Sequence, residues 1–225
     1  RWISNFTGSF GKAIILRKLG VLFVDGRYTF QADTQIDKKY FTIKHINEYW
    51  NYLNSKILKG KNIGILPSLH SIIEVDKIIS ISRKKNAQIK FLDKNPIDFY
   101  WHNQPRYPKS KIFIHKKKYA GKSHKTKLNK VQKILKKNSI NLYLLTSLDS
   151  IAWILNVRGK DISYTPVALC FAVIPANGKA SLFIDKNKIL KVKKSLNKSV
   201  NIFNFYELDS YLNNIDNKKI VGLDQ

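Results

Sequence analysis

An arginine follows directly after a predicted strand in the motif Val24-Asp25-Gly26-Arg27-Tyr28. A guanidinium is a fixed fork of hydrogen-bond donors, which suits a carboxylate or the carbonyls of a peptide. Binding sites in α/β folds usually form at the carboxyl ends of strands. Arg27 is therefore a candidate binding residue. The alternative is a structural arginine that pairs with a nearby acid, and the residues alone leave both interpretations open.

A second polar motif, Asn156-Val157-Arg158-Gly159-Lys160-Asp161, follows an apolar segment with helical spacing. The pattern is typical of a helix end followed by a turn, where asparagine and glycine adopt conformations that other residues avoid. We predict a structural role for this motif.

Other catalytic signatures are weak in this sequence. The five histidines form neither a His-x-x-x-His nor a Glu-x-x-His pair, so we predict no metal site in the chain. Gly8-Ser9-Phe10-Gly11-Lys12 lacks the spacing of a phosphate-binding loop. Cys170, the single cysteine, lies within an apolar run and is predicted to be a buried, inert thiol. A general acid–base pair among the twelve aspartates and three glutamates is possible, but nothing in the sequence singles one out.

The charge of the chain is strongly positive, with 41 lysines and arginines against 15 acids and a net charge of +26. Residues 99–148 contain thirteen cations and no acid, with aromatic side chains between them. Such a segment is either a stacking platform for single-stranded nucleic acid or, over residues 123–138, the solvated face of a helix. The abundance of lysine, asparagine and isoleucine also fits the codon bias of an AT-rich genome. A further alternative is an acidic partner that offsets the charge.

The 225 residues are 44% hydrophobic, enough for a sizeable core. No apolar run reaches the ~18–20 residues of a membrane-spanning helix, so we expect no membrane interaction. The single cysteine fits a reducing compartment, and a cytoplasmic location is expected.

Both halves of the chain show alternating helix and strand patterns. The pattern predicts two hairpins, over residues 13–24 and 167–184. It also predicts a short helix over residues 27–36 and an amphipathic helix, capped by Ser123, over residues 123–138. The proline- and lysine-containing segment 105–121 reads as a linker. We predict an α/β chain of two domains, 1–118 and 119–225, each a mixed β-sheet flanked by helices.

Two blocks of sequence carry a family resemblance. The first is Trp2-Ile3-Ser4-Asn5-Phe6-Thr7-Gly8-Ser9 followed by Asp25-Gly26-Arg27-Tyr28. The second comprises residues 119–123, Tyr-Ala-Gly-Lys-Ser, and residues 148–162, Leu-Asp-Ser-Ile-Ala-Trp-Ile-Leu-Asn-Val-Arg-Gly-Lys-Asp-Ile. Together they resemble the two creatinase-like amino-terminal domains of three-domain Xaa-Pro aminopeptidases (aminopeptidase P).

The resemblance implies a role in peptide hydrolysis. Such enzymes remove the first residue from peptides with proline second, and their third, catalytic domain holds two divalent metals, typically manganese. The matching arginine, Arg27, is expected to contact the bound peptide, with Asp25 and Tyr28 supporting its turn. The resemblance implies a first domain without its first strand and helix, most of a second domain, and a substrate-gating region without activity of its own.

The implied partners are a peptide with proline second and the chain's own catalytic domain, with a homodimer left open. Two alternatives from other classes also remain open. One is a non-catalytic interaction module, and the other is a basic protein that binds nucleic acid, although specific nucleic-acid recognition is not expected.

Overall fold

Strands and helices alternate along the chain, as the sequence predicts. The computed structural model describes residues 1–55 and 58–223, and the chain divides into two units, Arg1–Pro105 and Arg106–Gln225. Residues 224–225, the end of the predicted second domain, lie outside the described residues.

The first unit holds short strands separated by helices. Its strands are β1 (Lys12–Ile15), β2 (Gly20–Val24), β3 (Phe41–His45), β4 (Asn62–Ile65) and β5 (Gln88–Phe91). Its helices are α1 (Thr29–Gln35), α2 (Tyr49–Leu53), α3 (Ile72–Lys84) and α4 (Pro96–Tyr100).

Strand β2 is the centre of the first unit's sheet. It pairs antiparallel with β1, as the hairpin prediction requires, and parallel with β3. All five residues of β2 are buried, because apolar clusters cover both faces of the strand. A continuous apolar strand is what such two-sided burial demands. Strands β4 and β5 form a separate parallel pair.

The helix predicted over residues 27–36 is shorter than expected. Residues Gly26–Tyr28 form a 3-10 turn, and the α-helix begins only at Thr29. Asp25 has extended backbone dihedrals and its side chain caps the 3-10 turn. Arg27 therefore lies in a tight turn at the end of β2 rather than in the body of a helix.

The second unit is built around a larger sheet. Its strands are β6 (Phe113–Ile114), β7 (Leu142–Leu145), β8 (Val157–Arg158), β9 (Phe171–Pro175), β10 (Ala180–Phe183), β11 (Val200–Phe203) and β12 (Val221–Leu223). Its helices are α5 (Lys117–Ala120), α6 (His124–Lys137), α7 (Leu148–Leu155), α8 (Lys193–Leu196) and α9 (Leu208–Asn213).

The main sheet of the second unit has the order β11-β10-β9-β7-β12. Strands β9 and β10 are antiparallel, which confirms the second hairpin, whereas β10–β11 and β7–β12 are parallel. Apolar clusters cover both faces of this sheet. The mixed α/β class predicted from the sequence is therefore correct.

The segment predicted to be a linker packs within the second unit. Strand β6 pairs antiparallel with β8, and Ile112 is only 1% exposed, with its N–H donating to the Lys188 carbonyl oxygen at 3.0 Å. The division between the units accordingly falls at Pro105–Arg106, ahead of the boundary at 118/119 expected from the sequence. The assignment of the two units to particular creatinase-like domains stays a prediction.

None of the helices in the described residues is both long enough and apolar enough to cross a lipid bilayer.

Candidate functional site

The motif around Arg27 lies at the carboxyl edge of the first unit's sheet. Because β2 and β3 run parallel with Val24 opposite His45, both strands end at this edge. Gly26 lies near the imidazole, since a Cβ built on it would stand 3.8 Å from His45 Nε2. The chain then turns sharply into α1. Arg27 is thus presented where α/β folds place ligand-binding groups.

Asp25 holds the turn and the guanidinium together. One carboxylate oxygen accepts hydrogen bonds from the Arg27 backbone N–H at 3.0 Å and from Nε at 3.2 Å, and the other accepts from Nη2 at 2.6 Å. This side-chain hydrogen bonding lowers the pKa of the Asp25 carboxyl below its ordinary value. The same pair raises the pKa of Arg27. The guanidinium is charged, and in this structure Asp25 holds its Nε and Nη2 side.

The other side of the Arg27 guanidinium faces solvent, with 75% of the side chain exposed. Among the described residues, hydrogen bonds engage Nε and Nη2, and no partner is found for Nη1. Because Asp25 already balances the charge, the remaining donors suit a neutral acceptor such as a peptide carbonyl. Both interpretations of Arg27 are thus compatible with the geometry: it pairs with an acid and it also offers donors.

Tyr28 ties the turn to the amino-terminal segment. Its hydroxyl lies 2.6 Å from Ser9 Oγ, and its ring meets Phe6 edge-on with centroids 5.8 Å apart. The Arg27 guanidinium carbon lies 5.4 Å from the Tyr28 ring centre. These contacts are those of a residue that positions the turn. The roles of Arg27, Asp25 and Tyr28 toward a peptide remain predictions.

The acids and histidines that the structure describes elsewhere do not assemble a metal centre. Within residues 1–55 and 58–223, no group of three or more His, Cys, Asp or Glu side chains is placed to hold a metal ion. Glu74 illustrates the reason, because it accepts from Lys12 Nζ at 2.5 Å and lies 3.5 Å from His70 Nδ1. A metal fits neither this pair nor the other described side chains, and no catalytic step is assigned to them.

Two further candidates have structural explanations. Lys12 begins β1, pairs with Glu74 and lies 5.0 Å from the centre of the Tyr49 ring, so the glycine-containing segment before it is not a phosphate loop. Cys170 is 4% exposed, and burial raises its pKa to about 12. The thiol is therefore protonated at physiological pH, as predicted for an inert cysteine.

The Asn156–Asp161 motif is structural, as predicted. Asn156 ends α7 in the left-handed conformation with φ of 53°, and Arg158 Nη1 donates to the Ala152 carbonyl oxygen at 2.8 Å. Asp161 forms a buried ion pair with Lys188 at 2.5 Å. These groups satisfy the end of α7 and anchor the loop after it.

Two buried lysines, Lys188 in the ion pair above and Lys127, were not predicted from the sequence. Lys127 lies on the inner face of α6, with Nζ donating to Asn156 Oδ1 at 2.7 Å and to the Trp153 carbonyl oxygen at 2.8 Å. Burial, followed by the charge of Arg158, lowers the pKa of the Lys127 ammonium. Lys127 lies four residues before Val131, which is on the apolar face of α6. Helical spacing therefore places Lys127 on the same face, and this was the sequence feature that could have indicated its burial. The remaining lysines of α6 are exposed, as a solvated helix face predicts.

Two aromatic residues of the acid-free segment pack against rings outside it. Trp101 stacks on Trp2 in the first unit, with centroids 5.9 Å apart. Tyr107 packs on Phe205 in the second unit, with centroids 6.0 Å apart. Trp101 and Tyr107 thus have packing partners within their own units, whereas Tyr100 and Tyr119 are exposed, and the nucleic-acid platform stays an untested alternative.

Comparison with known proteins gives consistent results. Residues 103–225 match the family model described as the creatinase/prolidase N-terminal domain. The chain is 33% identical over 207 residues to a probable Xaa-Pro aminopeptidase P of Pyrenophora teres f. teres, covering 89% of this chain and 31% of that protein. It is also 33% identical to Xaa-Pro aminopeptidase 1 of Dictyostelium discoideum, covering 96% of this chain and 36% of that protein.

A solved structure shows the same fold. The X-prolyl aminopeptidase of Caenorhabditis elegans, described as a cytosolic enzyme with a di-nuclear active site, aligns with a TM-score of 0.88 at 24% identity. The alignment covers 95% of this chain and 36% of that one. The chain thus spans about a third of the length of the relatives that it matches. Since the family model matches more than half of its residues, the chain belongs to the creatinase/prolidase amino-terminal domain family.

Proposed function

We propose that this chain is the amino-terminal, substrate-gating region of a metal-dependent Xaa-Pro aminopeptidase, which removes the first residue from peptides with proline second. The relatives that carry this name align with about nine tenths of the chain. The observation that carries the proposal is the guanidinium of Arg27, fixed by Asp25 and exposed at the end of β2.

In this proposal Arg27 binds a carbonyl of the peptide substrate. Asp25 fixes the direction of the guanidinium before the peptide arrives, so less conformational freedom is lost on binding. Tyr28 limits movement of the turn through its contact with Ser9. The chain's contribution is therefore to orient the peptide rather than to cleave it.

The catalytic chemistry is proposed to lie outside the described residues. The described side chains do not fit a pair of metals. We therefore assign two divalent metals, manganese by family resemblance, to a catalytic region that would be this chain's own partner. The C. elegans relative is described as di-nuclear and cytosolic, which supports both this assignment and a cytoplasmic location. Assembly as a homodimer belongs to the same proposal.

The test uses the full open reading frame of the gene beside the 225-residue chain. We expect manganese-dependent release of the first residue from a peptide with proline second by the full protein. The 225-residue chain should release none, and a peptide with alanine second should be a poor substrate. Absence of this activity in the full protein with metal present would refute the enzyme proposal. The interaction-module and nucleic-acid alternatives would then take its place.

A further inference from the structure

Strand β11 forms an open edge of the second unit's sheet. It pairs with β10 on one side, and no other strand among the described residues pairs with it. The Ala180 N–H donates to the Ser199 carbonyl oxygen, and the Ile184 N–H donates to the Phe203 carbonyl oxygen. In a parallel ladder the intervening residues direct their backbone groups to the opposite side. Val200 and Ile202 therefore present N–H and C=O groups to the open edge.

A cleft runs along this edge. Its volume is about 580 Å³, and its apolar lining includes Ile189, Leu190 and Ile202. Leu190 is 62% exposed, although Ile189 beside it is buried in the core. An unpaired strand edge beside an apolar cleft is the feature that proteins use to bind an extended peptide as an additional strand.

The charge around the cleft is strongly positive. Lys179, Lys186 and Lys193 line it. Residues 179–198 include six exposed lysines, and Asp185 is the only acidic residue in that range. The Asp185 carboxylate accepts the Asn187 N–H within its own turn and does not pair with these lysines in the described structure. Lys186 lies 3.5 Å from Glu207 in an exposed pair, which contributes little neutralisation.

We infer that the β11 edge and its cleft bind an extended acidic peptide segment of a partner protein, which adds to the sheet as a strand. The backbone groups of Val200 and Ile202 supply the ladder hydrogen bonds, the apolar lining receives alternate side chains, and the lysines pair with carboxylates. This binding function goes beyond the proposed aminopeptidase role and does not depend on it. It also gives the positive charge of this unit a specific partner.

A direct test is fluorescence anisotropy of the 225-residue chain with the labelled peptide Ac-Glu-Val-Glu-Val-Glu-Val-Glu-NH2. The comparison peptide replaces each valine with proline, which keeps the charge but removes backbone donors and favours a polyproline conformation. We expect the valine peptide to bind at least about fivefold more tightly, since the loss of one net hydrogen bond costs about 1 kcal/mol. Equal affinity for the two peptides, or no binding of either, would overturn the inference.

The variant Ile202→Pro removes a backbone donor from the open edge. Proline is tolerated in edge strands where the missing N–H faces away from the ladder, so the β10–β11 pairing should persist. We expect Ile202→Pro to weaken valine-peptide binding about tenfold, because it removes one N–H donor and crowds the edge with its ring. The matched control Ile202→Val keeps both the N–H and the β-branched side chain, and it should bind within twofold of the original chain.

A second variant covers the case in which Ile202→Pro impairs folding. Lys193→Gln leaves the strand intact and removes one charge from the cleft, and it should weaken the valine peptide about threefold at low salt. No effect of Lys193→Gln would count against the site. A single-stranded oligothymidylate that binds as tightly as the valine peptide, and that is unaffected by Ile202→Pro, would assign the lysines to nucleic acid and overturn the peptide proposal.

Discussion

The buried ion pair of the second unit permits a quantitative prediction. The Asp161 side chain is completely buried and the Lys188 side chain is 4% exposed, and Asp161 Oδ2 and Lys188 Nζ lie 2.5 Å apart. The same carboxylate accepts from Ser110 Oγ at 2.5 Å and from the Leu169 N–H at 2.8 Å. One carboxylate thus joins the segment before α5, the loop after β8 and the segment before β9. The perturbation is Asp161→Asn, which preserves the shape of the side chain but removes its charge.

The expected cost follows from the burial of the pair. In Asp161→Asn the Lys188 ammonium stays buried without a counter-charge. If the asparagine NH2 group points toward Lys188, two donors face each other. If the asparagine oxygen points toward Lys188, that one oxygen replaces the two carboxylate oxygens that accept from Lys188, Ser110 and Leu169. Breaking a buried pair from one side costs about 3–5 kcal/mol of the free energy of unfolding. That range corresponds to roughly two to four orders of magnitude in an opening equilibrium constant.

Native-state hydrogen exchange measures this loss in the second unit separately from the first. Exchange of the β9 and β10 amides should accelerate by those factors, while the β2 amides of the first unit keep their original rates. The double variant Asp161→Asn/Lys188→Met removes both charges, and its free energy of unfolding should return to within about 1.5 kcal/mol of the original chain. Lys186→Met, which breaks the exposed pair with Glu207, is the matched control and should change it by less than about 0.5 kcal/mol. A loss in Asp161→Asn no larger than in Lys186→Met would refute the reasoning.

Three further predictions concern single groups. Near the ordinary thiol pKa of 9.0, a thiol reagent should modify Cys170 slowly in the folded chain and rapidly in guanidinium chloride, because burial raises its pKa to about 12; equal rates would contradict its burial. NMR titration of Arg27→Gln should show the Asp25 carboxyl pKa rising toward 3.8, since the Arg27 hydrogen bonds lower it; the stability that this pair contributes is present above 3.8 and is lost as the pH falls through the lowered pKa. Gly159→Ala should reduce the free energy of unfolding, measured by urea denaturation, by about 1–3 kcal/mol, because the added Cβ would stand 2.7 Å from the Val167 carbonyl oxygen. An unchanged urea midpoint would contradict this prediction and show that the backbone shifts to accommodate the methyl group.

The elements that local pattern defines were predictable from the sequence. The unbroken apolar run of β2 indicates burial on both faces, and the structure places an apolar cluster on each side. Ser123 caps α6 by accepting the Thr126 N–H at 3.1 Å, as its position before an amphipathic helix predicts. Such features depend on residues close together in the chain.

Features that depend on distant residues were not predictable. Ile112 lies in a charged, proline-containing segment and is buried only because that segment meets residues near Lys188 and β8. Lys127 is buried because the Trp153 carbonyl oxygen at the end of α7 and Asn156 Oδ1 accept hydrogen bonds from its ammonium group. The charge of both stretches favours the surface, and only the spacing of Lys127 from Val131 points the other way.

The candidate site was partly predictable. The sequence places Arg27 at a strand end but does not decide between an ion pair and a binding group. The structure shows that the ion pair exists and lies within the motif itself, since Asp25 holds Nε and Nη2 while most of the arginine side chain stays exposed. The spacing of two residues between Asp25 and Arg27 does not reveal this, because it depends on the 3-10 turn at Gly26–Tyr28.

The most direct test of the central claim is the kcat/KM of the full protein for a peptide with proline second, measured for Arg27→Ala beside Arg17→Ala. Arg17 is an exposed arginine in the turn between β1 and β2 and serves as the matched control. If Arg27 binds the peptide, Arg27→Ala should lower kcat/KM by about tenfold or more, as expected for a lost charged hydrogen bond. Arg17→Ala should leave it unchanged, and the melting temperature of Arg27→Ala should fall by no more than the small amount expected for loss of an exposed ion pair. Equal kcat/KM values for Arg27→Ala and the original protein would contradict the account.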